Sequence, residues 1–278
     1  MLRRAVYRIE RLPSLPAVSM HSSSAALRGI APNVYYGVMS LPHSLRYDDK
    51  SGPLAAARRL AMGVPGQILV NTAAFTLPEE LHIGRGWRLL DVSCGRASLV
   101  RVLAHRVRLD TAPVGLDASR DALTRARQDM EAEGGPPTLV AQGTTGSLPF
   151  ADETFHLLLS AHSFRHLTDE ELRAGLSEAR RVLKPGGLFL AWEFAPTPSG
   201  LLNRWNRWVL TRDAPQVRLR SYSELRVLAR DAEFDWVERA RLRPFLLPPI
   251  PRVSLIMGKA PDGWSRPDSE GQALKDAQ

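Results

Sequence analysis

The sequence contains a single cysteine, Cys94, and only four lysines among its 278 residues. One cysteine excludes an intrachain disulfide and any metal site built from several cysteines, and it is typical of a reducing compartment. No stretch approaches the roughly 18 consecutive apolar residues of a membrane-spanning helix. With 44% hydrophobic residues, the composition favours one α/β domain of generous size, or one core domain with appendages.

The formal net charge is +8, and the basic residues are concentrated in two parts of the chain. Residues 1–30 hold five arginines against one glutamate, and residues 204–252 hold eleven arginines against six carboxylates. An anionic membrane surface, an acidic substrate and a nucleic acid each fit such patches, and so does a solvated basic surface. Charge alone does not choose among these partners.

The chain divides by texture into four segments. Residues 1–30 are arginine-rich and poor in acid, which indicates a leader or disordered segment: either a mitochondrial transit peptide or an extended reading frame with its true start at Met20. We predict a helical cap over residues 31–85, the main domain over 86–260 with a lid helix near 201–211, and a flexible tail over 261–278. We expect a cytoplasmic protein, at a membrane surface or not, or a mitochondrial one if residues 1–30 are a transit peptide.

Short apolar strands alternate with longer helices after residue 86. The pattern predicts strands over residues 87–92, 114–117, 138–141, 155–160 and 188–194, and helices over 98–107, 119–133, 169–183, 201–211 and 222–231. Pro185-Gly186-Gly187 is interpreted as the turn into the fifth strand, and residues 236–243 and 252–258 as an antiparallel edge pair. Apolar strands separated by helices indicate an α/β fold with a doubly wound, mostly parallel seven-stranded sheet.

A loop of small residues follows the first predicted strand, as Asp91-Val92-Ser93-Cys94-Gly95-Arg96-Ala97. Ligands of doubly wound sheets lie beyond the carboxyl ends of the strands, and small side chains let backbone amides approach them. Asp117 ends the second strand, where its carboxylate is placed to accept hydrogen bonds from both hydroxyls of a ribose. The alternative is that Asp117 only caps the next helix.

These segments resemble the class I S-adenosylmethionine-dependent methyltransferases. The loop from Asp91 to Ala97 is similar to the family's first motif, and Gly115-Leu116-Asp117-Ala118-Ser119 is similar to its ribose motif. Two further runs, Leu148 to Phe155 (LPFADETF) and Glu178 to Gly187 (EARRVLKPGG), resemble the segments before the fourth and fifth strands. The resemblance covers about residues 53–258 and implies the Rossmann-like methyltransferase fold.

The resemblance implies S-adenosylmethionine as cofactor and assigns residues to it by position. Those expected to bind it are Asp91, Ser93, Cys94 and Gly95 in the loop, Asp117 at the ribose, Ala118, Thr144 and Thr145 at the adenine, and Ser160 under the sulfonium. Ser93 and Ala97 stand where glycines are usual, and Thr144 and His156 where aspartates are usual. The threonines also fit ordinary turn residues, and Cys94 fits a packed small residue better than a nucleophile.

Three candidates for a general base lie at the predicted strand ends, namely His162, His166 and Glu193. Methyl transfer from a sulfonium needs alignment and exclusion of water, and a base only where the acceptor loses a proton. The alternative for each of the three is a hydrogen-bonded structural role. No metal site is predicted.

The acceptor is less defined by the sequence. Ser160-Ala161-His162-Ser163 stands where amino methyltransferases of nucleic-acid bases carry an Asp-Pro-Pro-Tyr-like tetrad, so a nucleic-acid partner is not expected. The layout resembles the small-molecule branch, including the ubiquinone and menaquinone C-methyltransferases, and implies a small, lipid-like or quinone-type acceptor. Two alternatives stay open: an RNA or protein methyltransferase that uses the basic C-terminal third, and a catalytically silent methyltransferase-like partner protein.

The segment Leu201–Val209 has an amphipathic helical pattern. One helical face is apolar and bears two tryptophans, and arginines lie away from it; the apolar residues are Leu201, Leu202, Trp205, Trp208 and Val209. Such a helix contacts a membrane interface, or packs its apolar face over the active site as a lid.

Overall fold

The computed structural model describes residues 81–210, 217–240 and 252–263. The predicted leader, nearly all of the helical cap, the proline-rich stretch 244–251 and the tail beyond residue 263 lie outside these ranges, as do the side chains of Trp208 and Val209. Within the described residues, no helix is long and apolar enough to cross a membrane.

Seven strands form one mixed sheet, as predicted. In chain order the elements are β1 (Leu89–Val92), α1 (Ser98–Val107), β2 (Val114–Asp117), α2 (Arg120–Glu133), β3 (Leu139–Gln142), β4 (Phe155–Ala161), α3 (Asp169–Val182), β5 (Leu183–Phe194), α4 (Gly200–Leu210), α5 (Tyr222–Asp231), β6 (Trp236–Arg239) and β7 (Arg252–Gly258). A single 3₁₀ turn, Phe164–His166, follows β4. The strand order is β3-β2-β1-β4-β5-β7-β6, in which β7 runs antiparallel to both β5 and β6.

Both faces of the sheet are covered, which explains the unbroken apolar runs in the central strands. Leu157 and Leu159 of β4 point into a cluster with Leu99 and Leu103 of α1. The intervening Leu158 points to the opposite face, where α3 and α5 contribute the core residues Leu172, Leu176, Leu225 and Leu228. Successive side chains of a strand point to opposite faces of the sheet. Because helices cover both faces, consecutive positions of the strand are apolar.

Helices α3 and α5 begin where the sequence supplies capping boxes. Thr168 and Glu171 form a reciprocal capping box at the start of α3, and Ser221 and Glu224 form another at α5. Each box satisfies backbone N–H groups that the first helical turn leaves without partners.

The predicted turn at Pro185-Gly186-Gly187 lies within β5 and does not precede it. β5 starts at Leu183, directly after α3, and continues through these three residues. Gly186 has φ +77°, and its N–H donates to the carbonyl of Lys259, while Lys259 N–H donates to Gly187 O. On the other side, the pairing with β4 passes from Leu183 to Leu188, so residues 184–187 bulge out of that ladder. Glycine adopts the left-handed backbone that this bulge needs without strain.

Candidate active site

The loop after β1 has an alternating left-handed backbone. Ser93, Gly95 and Ala97 have φ of 62°, 55° and 55°. The loop is tied to the end of β2, since Cys94 N–H donates to Leu116 O at 2.9 Å and Gly95 N–H donates to Asp117 Oδ2 at 2.8 Å. It therefore has the backbone of a glycine-rich loop although only one of the three left-handed residues is a glycine.

The loop lies very close to β2 and is also tied to α2. A Cβ atom on Gly115 would lie 2.8 Å from Cys94 Sγ, so only glycine fits at this position of β2. On the other side, Arg96 Nε donates to Asp129 Oδ2 at 2.7 Å as part of a bidentate ion pair. Two neighbouring elements thus fix the loop from both sides.

Two carboxylates lie beneath the loop. Asp91 is 2% exposed at the end of β1, and burial together with the nearby charge of Asp117 raises its pKa to about 8. Burial also raises the pKa of Asp117, although its carboxylate accepts hydrogen bonds from the N–H groups of Ser119 and Gly95. A positively charged ligand would stabilise the ionised form of both carboxylates. S-adenosylmethionine carries two positive groups, a sulfonium and an ammonium. The residues present therefore fit this cofactor.

The remaining predicted cofactor residues lie near the ends of β2, β3 and β4. Ala118 follows Asp117, and its carbonyl accepts a hydrogen bond from Gln142 at the end of β3. Thr144 is exposed and pairs with Ser147 in an isolated bridge, and Thr145 packs against Gly175 of α3. These two threonines thus have turn and packing contacts, and their adenine role stays a prediction. Burial raises the pKa of the Cys94 thiol far above its usual range, so Cys94 stays protonated.

The ends of β4 and β5 bring three predicted residues together. Ser160 is buried, and its hydroxyl lies 2.6 Å from that of Ser163. His162 Nδ1 lies 3.8 Å from Glu193 Oε1. His162 has φ 59°, a strained conformation for a residue of this size that is common at functional sites.

Glu193 is a buried, fully ion-paired carboxylate. Its side chain accepts hydrogen bonds from Arg165 Nη1 at 3.1 Å, from Arg165 N–H at 3.1 Å and from Phe194 N–H at 2.8 Å. Burial alone would raise the Glu193 pKa, but the His162 ring and the Arg165 guanidinium outweigh it and hold the pKa at about 2. Glu193 is thus a poor base and a permanent negative charge beside His162.

His162 is neutral at physiological pH. Burial lowers its pKa below the usual value, against the opposite effect of Glu193. Its ring stacks on Phe194 with centroids 4.4 Å apart, and the guanidinium groups of Arg165 and Arg252 lie 5.2 and 5.1 Å from the centre of the Phe194 ring. A neutral imidazole with a fixed carboxylate partner can accept a proton. His166 instead belongs to the 3₁₀ turn, where its N–H donates to Ser163 O.

Sequence reasoning missed the arginines that organise this side of the site. Arg165 also donates to His162 O, and the buried Arg220 donates to Phe164 O at 2.8 Å, Leu167 O at 2.6 Å and Asp169 at 2.7 Å. Arg220 thereby fixes the turn that follows His162. In a chain with so many arginines, no sequence signal distinguished these two.

The predicted site residues therefore lie at the same end of the sheet, at or just after the carboxyl ends of its parallel strands. The carboxylates beneath the loop lie on one side, and the His162–Glu193 pair lies on the other. The described residues hold no group of three or more potential metal ligands.

Comparison with known proteins identifies relatives of the same chemistry. Residues 89–187 match the model of a methyltransferase domain. A ubiquinone/menaquinone biosynthesis C-methyltransferase from Bordetella avium is 30% identical over 184 residues, which cover 62% of this chain and 68% of the relative. A 2-phytyl-1,4-naphtoquinone methyltransferase from Thermosynechococcus vestitus is 32% identical over 132 residues, which cover 48% and 57%. An uncharacterized methyltransferase from Synechocystis is 35% identical over 111 residues. The matched part of this chain spans 49% of the length of the Synechocystis protein and 57% of that of the Thermosynechococcus enzyme, about half of each.

Solved structures share the fold at low sequence identity. A protein from Pyrococcus horikoshii superimposes with a TM-score of 0.55 at 17% identity and covers 72% of this chain and 93% of its own. A SAM-dependent methyltransferase from Methanosarcina mazei gives 0.54 at 19% identity, with 66% and 97% covered. At these identities the likeness concerns the Rossmann-like fold alone.

Proposed function

Since this chain belongs to the family of S-adenosylmethionine-dependent methyltransferases, we propose that it transfers a methyl group from that cofactor to a small, quinone-type acceptor. The observation that carries the proposal is a pair of carboxylates, the buried Asp91 and the half-buried Asp117, beneath a loop with the backbone of a glycine-rich loop. The acceptor class is supported by the names of the relatives, which are methyltransferases of ubiquinone and menaquinone biosynthesis, of demethylmenaquinone and of 2-phytyl-1,4-naphtoquinone.

The cofactor, when bound, supplies an activated methyl group on a sulfonium. In this proposal Asp91 and the loop residues Ser93 to Gly95 hold its methionine part, and Asp117 holds the ribose. Ala118, Thr144 and Thr145 border the adenine, and Ser160 closes the site under the sulfonium. If these groups enclose both reactants and hold them in line, the fixed alignment can itself supply roughly 7–11 kcal/mol of the barrier.

His162 is the proposed general base for an acceptor that must lose a proton. The ring is neutral, and Glu193 at 3.8 Å stabilises the imidazolium that forms when it accepts the proton. Arg165 keeps Glu193 ionised and in place, so it acts as a positioning residue. Because the His162 pKa is lowered, the neutral base persists at and above neutral pH and is lost only on acidification below that lowered pKa.

The test combines cofactor binding with turnover. Titration calorimetry with S-adenosylmethionine should give a saturable isotherm, and a demethylated quinol in detergent should be methylated. His162→Gln should lower kcat by about 10²–10⁴-fold and leave the cofactor Kd unchanged. The matched control is His105→Gln, an exposed histidine on α1, which should change neither quantity.

Each failure points to a different alternative. No binding at millimolar cofactor would contradict enzymatic methyl transfer and leave the silent partner protein. Binding without methylation of any quinol, but with methylation of RNA or of protein, would contradict the acceptor class alone. Unchanged kcat in His162→Gln would remove His162 from catalysis.

A further inference from the structure

Helix α4 buries a polar side chain and exposes two of its apolar ones. Asn206 is completely buried, and its neighbours on the inner face are the partly buried Leu202 and Asn203. Asn203 anchors the helix, since its amide oxygen accepts a hydrogen bond from Thr197 N–H at 2.7 Å and its amide nitrogen donates to Thr197 O. The inner side of α4 thus includes two asparagines, of which Asn203 is hydrogen-bonded to the preceding connector.

The outer face carries the apolar side chains. Leu201 is 75% exposed and Trp205, one helical turn later, is 43% exposed. These two side chains are therefore not packed against the core of the protein, and the lid interpretation stays a prediction. Among the described residues only four large hydrophobic side chains are exposed, and two of them are adjacent on this helix.

The exposed side of α4 that flanks Leu201 and Trp205 carries charge of one sign. Arg204 and Arg207 are exposed on α4, and the sequence from residue 195 to 212 contains three arginines and no acidic residue. A tryptophan ring has an apolar body and a polar N–H, which suits the boundary between headgroups and acyl chains. Arginines beside it match anionic headgroups, which attract basic residues near a bilayer.

We propose that the outer face of α4 is a docking surface for an anionic lipid bilayer. Leu201 and Trp205 enter the interface, and Arg204 and Arg207 lie against the anionic headgroups. The helix begins at Gly200, only a short connector after β5 ends at Phe194. Docking therefore brings the carboxyl ends of the strands towards the bilayer. This inference does not depend on the proposed methyl transfer, because docking requires neither cofactor nor acceptor.

The experiment is co-sedimentation of the full chain with vesicles, in the absence of cofactor and acceptor. Phosphatidylglycerol-containing vesicles should bind the protein, and pure phosphatidylcholine vesicles should bind it much more weakly. Trp205→Ala should lower the partition coefficient roughly tenfold, and Arg204→Gln or Arg207→Gln about fivefold each. Added salt should weaken binding, since the attraction of surface charges is screened.

The matched control lies on α5, which exposes an arginine and a valine side by side, Arg226 and Val227. The variant Arg226→Gln/Val227→Ala should bind vesicles as the unaltered protein does. Cofactor binding and circular dichroism of every variant verify the fold. A blue shift of tryptophan emission on binding, lost in Trp205→Phe, would place that ring in the interface.

Several outcomes overturn the proposal. These are no binding to anionic vesicles, an equal loss of binding in the α5 control, or full binding by Trp205→Ala and the arginine variants. If the α4 substitutions instead abolish binding to RNA, or abolish self-association, while vesicles stay unbound, the surface serves a nucleic acid or a second copy of the chain. Docking without methyl transfer would leave this proposal standing and contradict only the proposed function.

Discussion

Ser93 holds a backbone conformation that glycine adopts without cost. Its φ is 62°, and an L-residue with a Cβ pays roughly 1–2 kcal/mol there. Ser93→Gly should therefore raise the free energy of unfolding by about 0.5–1 kcal/mol, the relief being reduced by the greater freedom of glycine in the unfolded chain. Urea denaturation followed by circular dichroism measures the change.

The control for this prediction is Ser177→Gly. Ser177 is exposed in the interior of α3, where glycine lowers helix stability by about 0.5 kcal/mol. The two serine-to-glycine changes should thus have opposite signs. A destabilised Ser93→Gly would mean that the serine side chain contributes more to the loop than its backbone strain removes.

At the level of single residues, motif reasoning found the groups whose place in the chain defines them. Asp91, Gly95 and Asp117 follow strand ends, and the structure joins Gly95 N–H to Asp117. The sequence gives no such marker for Arg165 or Arg220, because their roles depend on which carbonyls and carboxylates the fold brings near. A buried arginine with three carbonyl or carboxylate partners reads, in sequence, like any other arginine.

The contact between β2 and the loop makes a prediction about two elements. Because a Cβ on Gly115 would lie 2.8 Å from Cys94 Sγ, Gly115→Ala should cost about 1–3 kcal/mol of stability and weaken cofactor binding. Adding Cys94→Ala removes the sulfur and should restore part of both losses. A double-mutant cycle measures this as a coupling of at least about 0.5 kcal/mol.

Gly86→Ala is the control for that cycle, since no atom lies within 4 Å of a Cβ built at Gly86. It should leave cofactor binding unchanged. Strict additivity of Gly115→Ala and Cys94→Ala would show that the loop shifts away from β2 without strain.

Elements were predictable where local chemistry decides them. The helices predicted over residues 169–183 and 222–231 match α3 and α5, whose first turns Thr168 and Ser221 cap. The start of β5 and the orientation of α4 were not predicted, because both depend on contacts distant in sequence. The Gly186 bulge is held by hydrogen bonds to Lys259, far along the chain, and the orientation of α4 depends on packing that its own amphipathic pattern does not encode.

Across the whole molecule, cofactor binding, folding and protonation are linked through Asp91. Its pKa is about 8 in the folded protein, against 3.8 for an unperturbed aspartate. The folded state therefore binds one proton more than the unfolded state between these values, and this group's contribution to stability falls as pH rises from about 4 to about 8. Asp91→Asn should remove that part of the pH dependence of unfolding.

A cationic cofactor reverses the preference of Asp91, because it binds best beside the ionised carboxylate. Binding below pH 8 should consequently release close to one proton, and affinity should rise by up to about tenfold per pH unit between about pH 6 and 7.5. Calorimetry at about pH 7, in two buffers of different ionisation enthalpy, measures the released proton directly. Asp91→Asn should release almost none, whereas Glu131→Gln, an exposed control on α2, should behave as the unaltered protein.

The same linkage appears in thermal unfolding. Cofactor at about 100 times its Kd stabilises the folded state by about 2.7 kcal/mol. As the Kd falls with rising pH, a fixed cofactor concentration should raise the melting temperature more at pH 7.5 than at pH 6. A cofactor-induced shift that is equal at both pH values, together with no proton release, would mean that Asp91 is already ionised without the cofactor. The pKa of Asp91 would then not be raised in the free protein, and Asp91 and Asp117 would both attract the cofactor as anions.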